Sequence, residues 1–412
     1  MKRRVVVTGL GAITPVGNGV IPSWEALKAG KAGIGTISHF DPAEYTVKLA
    51  AEVKDFKPED YMDKREARRM DLFCQYAMAA GSEAMTDAAI DLEKVDRNRF
   101  GVLVGSGIGG ISTIEQEQQK FLERGNRRVS PLMIPMAIAN MGAGQLAIRY
   151  GLRGRCASTV TACSSGNDAI GEAFRMIRHG YADYMLCGGA EAPITPLAVA
   201  AFNNMQALTR AEDPLRASIP FDKERSGFVI GEGASLMVLE TYESATARGA
   251  KIYGELMGYG STCDAFHITA PEPEGSGGAQ AMSEAMADGG VSPELIDYIN
   301  AHGTSTPLND RIETAAIKKA LGEHAGKVAI SSTKSMTGHM LGAAGAFEAM
   351  VCILAMAEGF IPPTANYQVP DPECDLDYVP VEGRRQEVNY ALSNSLGFGG
   401  HNATLLFGKV KD

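Results

Sequence analysis

The amino-acid sequence predicts an α/β protein built from two copies of one βαβαβαββ unit, and three observations carry that prediction. Apolar, β-branched runs alternate with amphipathic helical patterns along the whole chain, which implies sheets covered by helices. The series of elements starts again near residue 251, giving halves 1–250 and 251–412. Residues suited to chemistry fall just beyond strand ends, namely Cys163, His302, His339 and Phe398. Sites in α/β folds gather at such ends.

In the first half, Arg4 to Thr8 reads as a strand turning at Gly9-Leu10-Gly11, with a helix through Trp24 and Leu27 after it. Lys64 to Ile90 reads as one helix with a basic start. Phe100 to Val104 is a strand ending in Gly105-Ser106-Gly107-Ile108-Gly109-Gly110, followed by a Glu/Gln-rich helix and a basic loop at Arg124, Arg127 and Arg128. The β-branched run Thr159-Val160-Thr161 breaks at Ala162-Cys163-Ser164-Ser165-Gly166, and Ala169, Ile170, Ala173, Phe174 and Ile177 then share a helix face. Tyr184 to Cys187 and Ala234 to Glu240 complete the unit.

In the second half, Ile252 to Tyr259 ends in Gly260 as the first strand ends in Gly9, and Ile296 to Ala301 ends at His302-Gly303. Val328 to Thr333 leads through His339 into the small-residue helix GAAGAFEAMVCIL, paralleling the Cys163 turn and its helix. Tyr390 to Asn394 ends in Leu396-Gly397-Phe398-Gly399-Gly400, and Ala403 to Phe407 is the last strand. The alternation predicts mostly parallel pairing, with a central mixed sheet in each half.

Composition narrows the function classes. The chain has 412 residues, 45% of them hydrophobic, enough for substantial cores. A net charge of −10 argues against a general nucleic-acid surface. Seven cysteines without CxxC pairs indicate neither a disulfide framework nor a zinc ribbon. The apolar run after Met1-Lys2-Arg3-Arg4 is too short for a signal peptide, and no apolar run approaches ~20 residues. A cytoplasmic protein without a membrane partner is expected.

Cys163 is placed at a helix start, where free N–H groups and the helix dipole favour a thiolate, with Ser164, Ser165 or Asn167 available as a cap. His302 follows a strand and precedes small hydroxylated residues. His339 stands near a helix start that would keep its imidazole neutral, able to donate to a developing oxyanion. Lys334, between a buried strand and a glycine turn, is expected to face Glu348 or a substrate charge. A thiol, two imidazoles and a cation at neighbouring strand ends form one constellation.

Four motifs in order, TACSSGNDAIG, NAHGTSTP, STKSMTGHMLGAAG and SNSLGFGGHNA, together with PFDKERSGFVIGEGAS, resemble the β-ketoacyl-acyl-carrier-protein synthases over essentially the whole chain. Within that family the resemblance is to the type II condensing enzymes of bacterial fatty-acid synthesis. It implies the duplicated thiolase-like fold, a homodimer, and decarboxylative condensation of an acyl group with malonyl-acyl-carrier protein. Carried over, Cys163 is the nucleophile, and the N–H groups of Cys163 and Phe398 form its oxyanion hole. His302 and His339 hold the malonyl thioester carbonyl, and Lys334 acts electrostatically beside Glu348. Ile108, Phe202 and the gate Phe398 line the acyl pocket, and Thr304 and Thr306 bind the phosphopantetheine arm. No redox or nucleotide cofactor is implied. Asn300, Glu348, Ser393 and Asn394 match positions where some members hold a structural Na⁺ or K⁺. An acidic carrier protein needs a local basic face, for which Lys64, Arg65, Arg68, Arg69, Arg127 and Arg128 are the candidates. Gln206 stands where the family often has arginine, with Arg210 close by, so the docking surface is expected to be shifted.

Other readings fit less well. Gly105 to Gly110 satisfies G-x-G-x-x-G, but a dinucleotide site needs an acidic strand end ~20 residues on, and that distance falls in the Glu/Gln-rich helix and basic loop. A degradative thiolase would need a second catalytic cysteine at the positions of His302, His339 or Phe398. A non-catalytic chain-length factor would lack Cys163. A polyketide ketosynthase is the remaining alternative, against which the chain shows no flanking domains or linkers.

Overall fold

A computed structural model describes residues 2–411. Ten strands form one sheet: β1 Val5–Thr14, β2 Phe100–Gly105, β3 Cys156–Ala157, β4 Tyr184–Glu191, β5 Gly233–Thr241, β6 Gly254–Cys263, β7 Tyr298–Asn300, β8 Ala329–Ser331, β9 Tyr390–Gly397 and β10 His401–Gly408. An eleventh strand, Gly17–Asn18, folds back onto β1. The order is β8-β7-β9-β10-β6-β1-β5-β4-β2-β3. Outward from the central pair, the first half runs 1-5-4-2-3 and the second 6-10-9-7-8, the same order with five added. In each half the two inner pairings are antiparallel and the two outer ones parallel. Mostly parallel pairing was expected, and half of it is antiparallel. Instead of two separate sheets there is one continuous path, joined where Val5–Val7 pairs with Gly254–Leu256.

Six principal helices give the layers: α1 Leu72–Ala88, α2 Met141–Tyr150, α3 Ser165–Arg178, α4 Ser276–Gly289, α5 Pro307–Leu321 and α6 Ala344–Glu358. Helices α3 and α6 touch strands of both halves and each other, so they form the central layer. Helices α1 and α2 cover the outside of the first half, and α4 and α5 that of the second. Helix α6 is apolar on almost every side because every side is packed. With its preceding turn, Leu341–Glu358 is long and apolar enough to span a bilayer, yet 89% of it is buried inside the fold.

Several boundaries differ from the sequence reading, for physical reasons. Strand β1 continues through Gly9 and Gly11, which are close-approach residues and not a turn. A Cβ on Gly11 would lie 1.9 Å from the Ala80 carbonyl oxygen of α1. Gly260 does the same in β6, 2.0 Å from the Ala281 carbonyl oxygen of α4. The helix expected over 64–90 is broken in two. Asp63 caps a short turn, Lys64–Ala67, and Asp71 caps α1 through the Phe73 N–H. The run Thr159 to Thr161 is not a strand. Thr159 Oγ1 binds locally to the Ser165 carbonyl, Ser158 Oγ just before the run reaches across to the Val104 carbonyl of β2, and only Cys156–Ala157 pairs with β2.

Candidate active site

Cys163 sits in a one-turn 3₁₀ segment, Ala162–Ser164, that runs directly into α3. Ala162 just before it has φ 51°, a left-handed conformation uncommon for alanine, which turns the chain sharply at the nucleophile. No side chain caps α3. Ser165 Oγ is taken by the Thr161 N–H and the Ala162 carbonyl, and Asn167 donates to the Ser393 carbonyl. The expected serine or asparagine cap is therefore absent. Ser164 Oγ donates to the His401 carbonyl, so β9 and β10 of the second half fix the turn. Gly397 closes the junction, because a Cβ there would lie 2.7 Å from the Thr161 carbonyl oxygen and 3.2 Å from the Cys163 nitrogen.

The N–H groups of Phe398 and of Cys163 itself face the thiol. Two converging backbone donors suit an oxyanion. Burial pushes the thiol up to about 12, while Lys334 and the two N–H groups pull it down and Glu191 pushes it further up. The readily ionised thiol expected from the helix start is not what this buried site provides. Desolvation outweighs the favourable dipole, so the thiol rests protonated.

His302 follows β7, and its imidazole ring lies 5.3 Å from that of His339, nearly perpendicular. Both are almost fully buried. His302 Nδ1 and both ring nitrogens of His339 lack any protein hydrogen-bond partner. Burial holds both imidazoles well below their ordinary value, assisted by the nearby Lys334 charge. Both are therefore neutral, as expected for His339, but desolvation and not a helix terminus is the main cause. The His339 backbone is pinned by bonds between its N–H and the Val229 carbonyl (2.7 Å) and between the Gly231 N–H and its own carbonyl (2.9 Å). That pairing gives the FVIGEGAS segment a direct part in the site.

Lys334 is 1% exposed and its ammonium donates to Glu348, equally buried on α6. The sequence reading missed two carboxylates. Glu313 on α5 accepts the N–H groups of His302 and Gly303 at 2.8 and 2.7 Å, and burial pushes it up to about 7. Glu191, the last residue of β4, gathers the Ser106–Gly109 loop. The spacing from His302 to Glu313, one loop and one helical turn and a half, was a readable signal. Glu191 had none, since its partners lie over 80 residues away.

Thr304 and Thr306 place their hydroxyls 3.0 Å apart beside His302. Cys163 shares an apolar cluster with Ile194, Val199, Phe228, Ile230 and Leu341, and Phe202 packs against its rim. Phe398 is half-buried. Ile108 is 36% exposed and outside this cluster, so the single chain does not place it in an enclosed pocket. Lys64, Arg65, Arg68, Arg69, Arg127 and Arg128 are all exposed, as are Gln206 and Arg210.

Three of the four residues matched to a cation site converge. Asn300 and Ser393 are register partners on β7 and β9. Both polar atoms of the Asn300 side chain, Ser393 Oγ and Glu348 Oε2 are buried without partners. Oxygen donors of this kind fit a hard monovalent cation. The Asn394 side chain faces away from these three. Successive strand residues face opposite ways, and its amide turns toward Met282 and Glu313 while its oxygen accepts from Thr404. Among the described residues no group of three or more His, Cys, Asp or Glu side chains could hold a metal.

Family models match residues 2–245 (beta-ketoacyl synthase, N-terminal domain) and 253–368 (beta-ketoacyl synthase, C-terminal domain). The chain is 54% identical over 411 residues to a protein of Synechocystis sp. named 3-oxoacyl-[acyl-carrier-protein] synthase 2, covering 100% of this chain and 99% of that one. A Staphylococcus aureus protein of the same name is 51% identical over 410 residues, with the same coverage. Among solved structures, a type II polyketide acyl-carrier protein in complex with its ketosynthase bound to the hexaketide matches with TM-score 0.93 and 36% identity, covering 100% of both chains.

Proposed function

The chain belongs to the β-ketoacyl synthase family, and from that premise we propose that it elongates fatty acids as a 3-oxoacyl-[acyl-carrier-protein] synthase of type 2. The observation that carries this reading is the meeting, in one buried site, of a thiol facing two backbone N–H groups with two neutral, unpartnered imidazoles.

In the first half-reaction the Cys163 sulfur attacks the carbonyl of an acyl thioester. The tetrahedral oxyanion is received by the N–H groups of Cys163 and Phe398, the carrier thiol leaves with a proton, and an acyl-Cys163 thioester remains. In the second, malonyl thioester binds with its carbonyl oxygen against His302 and His339. Loss of CO₂ moves the carbon–carboxylate bonding pair into an enolate. Neutral imidazoles stabilise that enolate by donating hydrogen bonds without surrendering their protons. The enolate carbon attacks the acyl-Cys163 carbonyl, the carbon–sulfur bond breaks to leave the Cys163 thiolate, which takes up a proton from solvent, and the 3-oxoacyl thioester departs from the free thiol. CO₂ release drives the sequence, so no redox or nucleotide cofactor enters. Lys334 and Glu348 stabilise the charge distribution from below, and a Na⁺ or K⁺ among Asn300, Ser393 and Glu348 would be structural. Thr304 and Thr306 would bind the phosphopantetheine arm, and Phe398, flanked by Gly397 and Gly399, would move aside to admit it.

The partners follow from the same reading. Acyl- and malonyl-loaded carrier protein would dock on the exposed cations, none of which is paired with a carboxylate among the described residues. A second copy of the chain would cover Phe121, Ile134, Ile138 and Val160, exposed apolar residues on the side of edge strand β3. That copy would also enclose Ile108. The protein would work in the cytoplasm.

The test is condensation across a ladder of acyl-carrier proteins with malonyl-carrier protein. One CO₂ per 3-oxoacyl product, with a single extension per turnover, is expected. Repeated extension without release would favour the polyketide-type alternative.

A further inference from the structure

Glu191 is a carboxylate the mechanism above does not use. It is completely buried, has no cationic partner among the described residues, and is surrounded only by donors. Its Oε1 accepts Ser106 Oγ (2.9 Å), the Ile108 N–H (3.1 Å) and the Gly109 N–H (3.3 Å), and its Oε2 accepts the Gly107 N–H (2.6 Å) and the Gly342 N–H (3.0 Å). Burial pushes Glu191 up while the hydrogen bonds from Gly107, Ile108, Ser106 and Gly342 pull it down, and a cage built only of donors offers a carboxyl proton no acceptor. A charged carboxylate is the state this cage fits.

The cage joins two segments from different halves. One is the loop carrying Ile108. The other is the turn after His339, where Leu341 has φ 46° and packs in the apolar cluster with Cys163. The segments touch closely, since a Cβ on Gly342 would lie 2.5 Å from the Gly107 nitrogen. Among the described residues, no side chain but that of Glu191 bonds to both of them.

We propose that Glu191 is a positioning residue that ties the Ile108 loop to the Leu341–Gly342 turn, and thereby sets which acyl chain lengths the site beside Cys163 accepts. This rests on the condensing-enzyme reading above. An acyl chain long enough to reach Ile108 must displace its loop, and the shared carboxylate makes that displacement a movement of the turn as well. Short chains that stop before Ile108 leave the tie undisturbed.

Two substitutions test it. Glu191→Gln keeps the shape but replaces one acceptor with an NH₂ facing donors. Glu191→Asp keeps the charge but is too short to reach both segments. Acylation of Cys163 is measured by intact mass with short and long acyl-carrier proteins, alongside the pH dependence of Cys163 alkylation by iodoacetamide. Both variants are expected to change the long-to-short ratio of kcat/KM about tenfold, the scale of one lost charged hydrogen bond. Glu191→Gln also removes a negative charge near the thiol, so its alkylation profile should move to lower pH, while that of Glu191→Asp should stay near wild type. A chain-length ratio unchanged in both variants, with equal loss at every length, overturns the proposal and leaves Glu191 a folding residue. Should Glu191→Gln not fold, the ratio in Glu191→Asp decides alone. A wild-type protein that takes no acyl group on Cys163 overturns the condensing-enzyme reading, a result distinct from a wild type that acylates while its variants keep their ratio.

Discussion

At the scale of single residues, the site separates two kinds of donor. Backbone N–H groups face the sulfur of Cys163, and imidazoles form a second cluster around His302 and His339. His302→Ala and His339→Ala are therefore expected to leave acyl transfer to Cys163 largely intact. Malonyl decarboxylation should fall by ~10²-fold or more, the usual loss on removing one oxyanion donor. Rates of the two half-reactions, measured separately, check this, and equal losses in both would contradict it. The thiol itself is pushed up to about 12 by burial. Below that value only the rare thiolate reacts, so Cys163 alkylation by iodoacetamide should rise about tenfold per pH unit between 7 and 9. The exposed Cys263 should be labelled ahead of it at neutral pH. A plateau for the Cys163 peptide below pH 8, followed by mass spectrometry, would rule this out.

At the scale of elements, the central layer of α3 and α6 is where chemistry and packing meet. Lys334 and Glu348 are a buried ion pair linking the turn before His339 to α6. Lys334→Met leaves Glu348 charged and desolvated, which typically costs ~3–5 kcal/mol. Thermal unfolding should show that loss, and Lys334→Met/Glu348→Met should recover much of it. A double variant no more stable than Lys334→Met would mean the two side chains are not coupled. Much of this layer was legible in the sequence. Cys163, His302 and His339 stand at strand ends followed by small residues, and the all-apolar pattern of GAAGAFEAMVCIL marks a helix packed on every side. What escaped were features whose meaning lies in a distant partner. Gly9 and Gly11 read as a turn because glycine alone does not distinguish a turn from a close helix, and α1 begins some 60 residues later. Glu191 looked like an ordinary acidic residue because its partners are backbone N–H groups more than 80 residues away, whereas Glu313 lies only 11 residues after His302, a spacing that could have been read. The apparent cap at Ser165 failed because its hydroxyl has a nearer use in the Thr161 turn.

At the scale of the whole molecule, the repeat explains why one chain holds two half-reactions. Each half brings its own strand ends to the centre of the sheet. The nucleophile comes from the first half, and both imidazoles and Phe398 come from the second. The overall charge of −10 opposes an acidic partner, and the docking proposed above therefore rests on the exposed cations attracting it locally. Arg127→Glu/Arg128→Glu should raise KM for carrier-linked acyl groups and weaken its salt dependence, while a free pantetheine thioester is turned over as before. Equal effects on both substrates would place docking elsewhere. In the proposed reaction the acyl group passes through Cys163 before carbon–carbon bond formation. The most direct measurement of that step is the intact mass of the protein, with peptide mapping, after acyl-carrier protein alone and again after malonyl-carrier protein is added. One acyl adduct on Cys163 is expected, disappearing in step with 3-oxoacyl product and CO₂. An adduct on another residue, or product formed with no adduct at all, would contradict it.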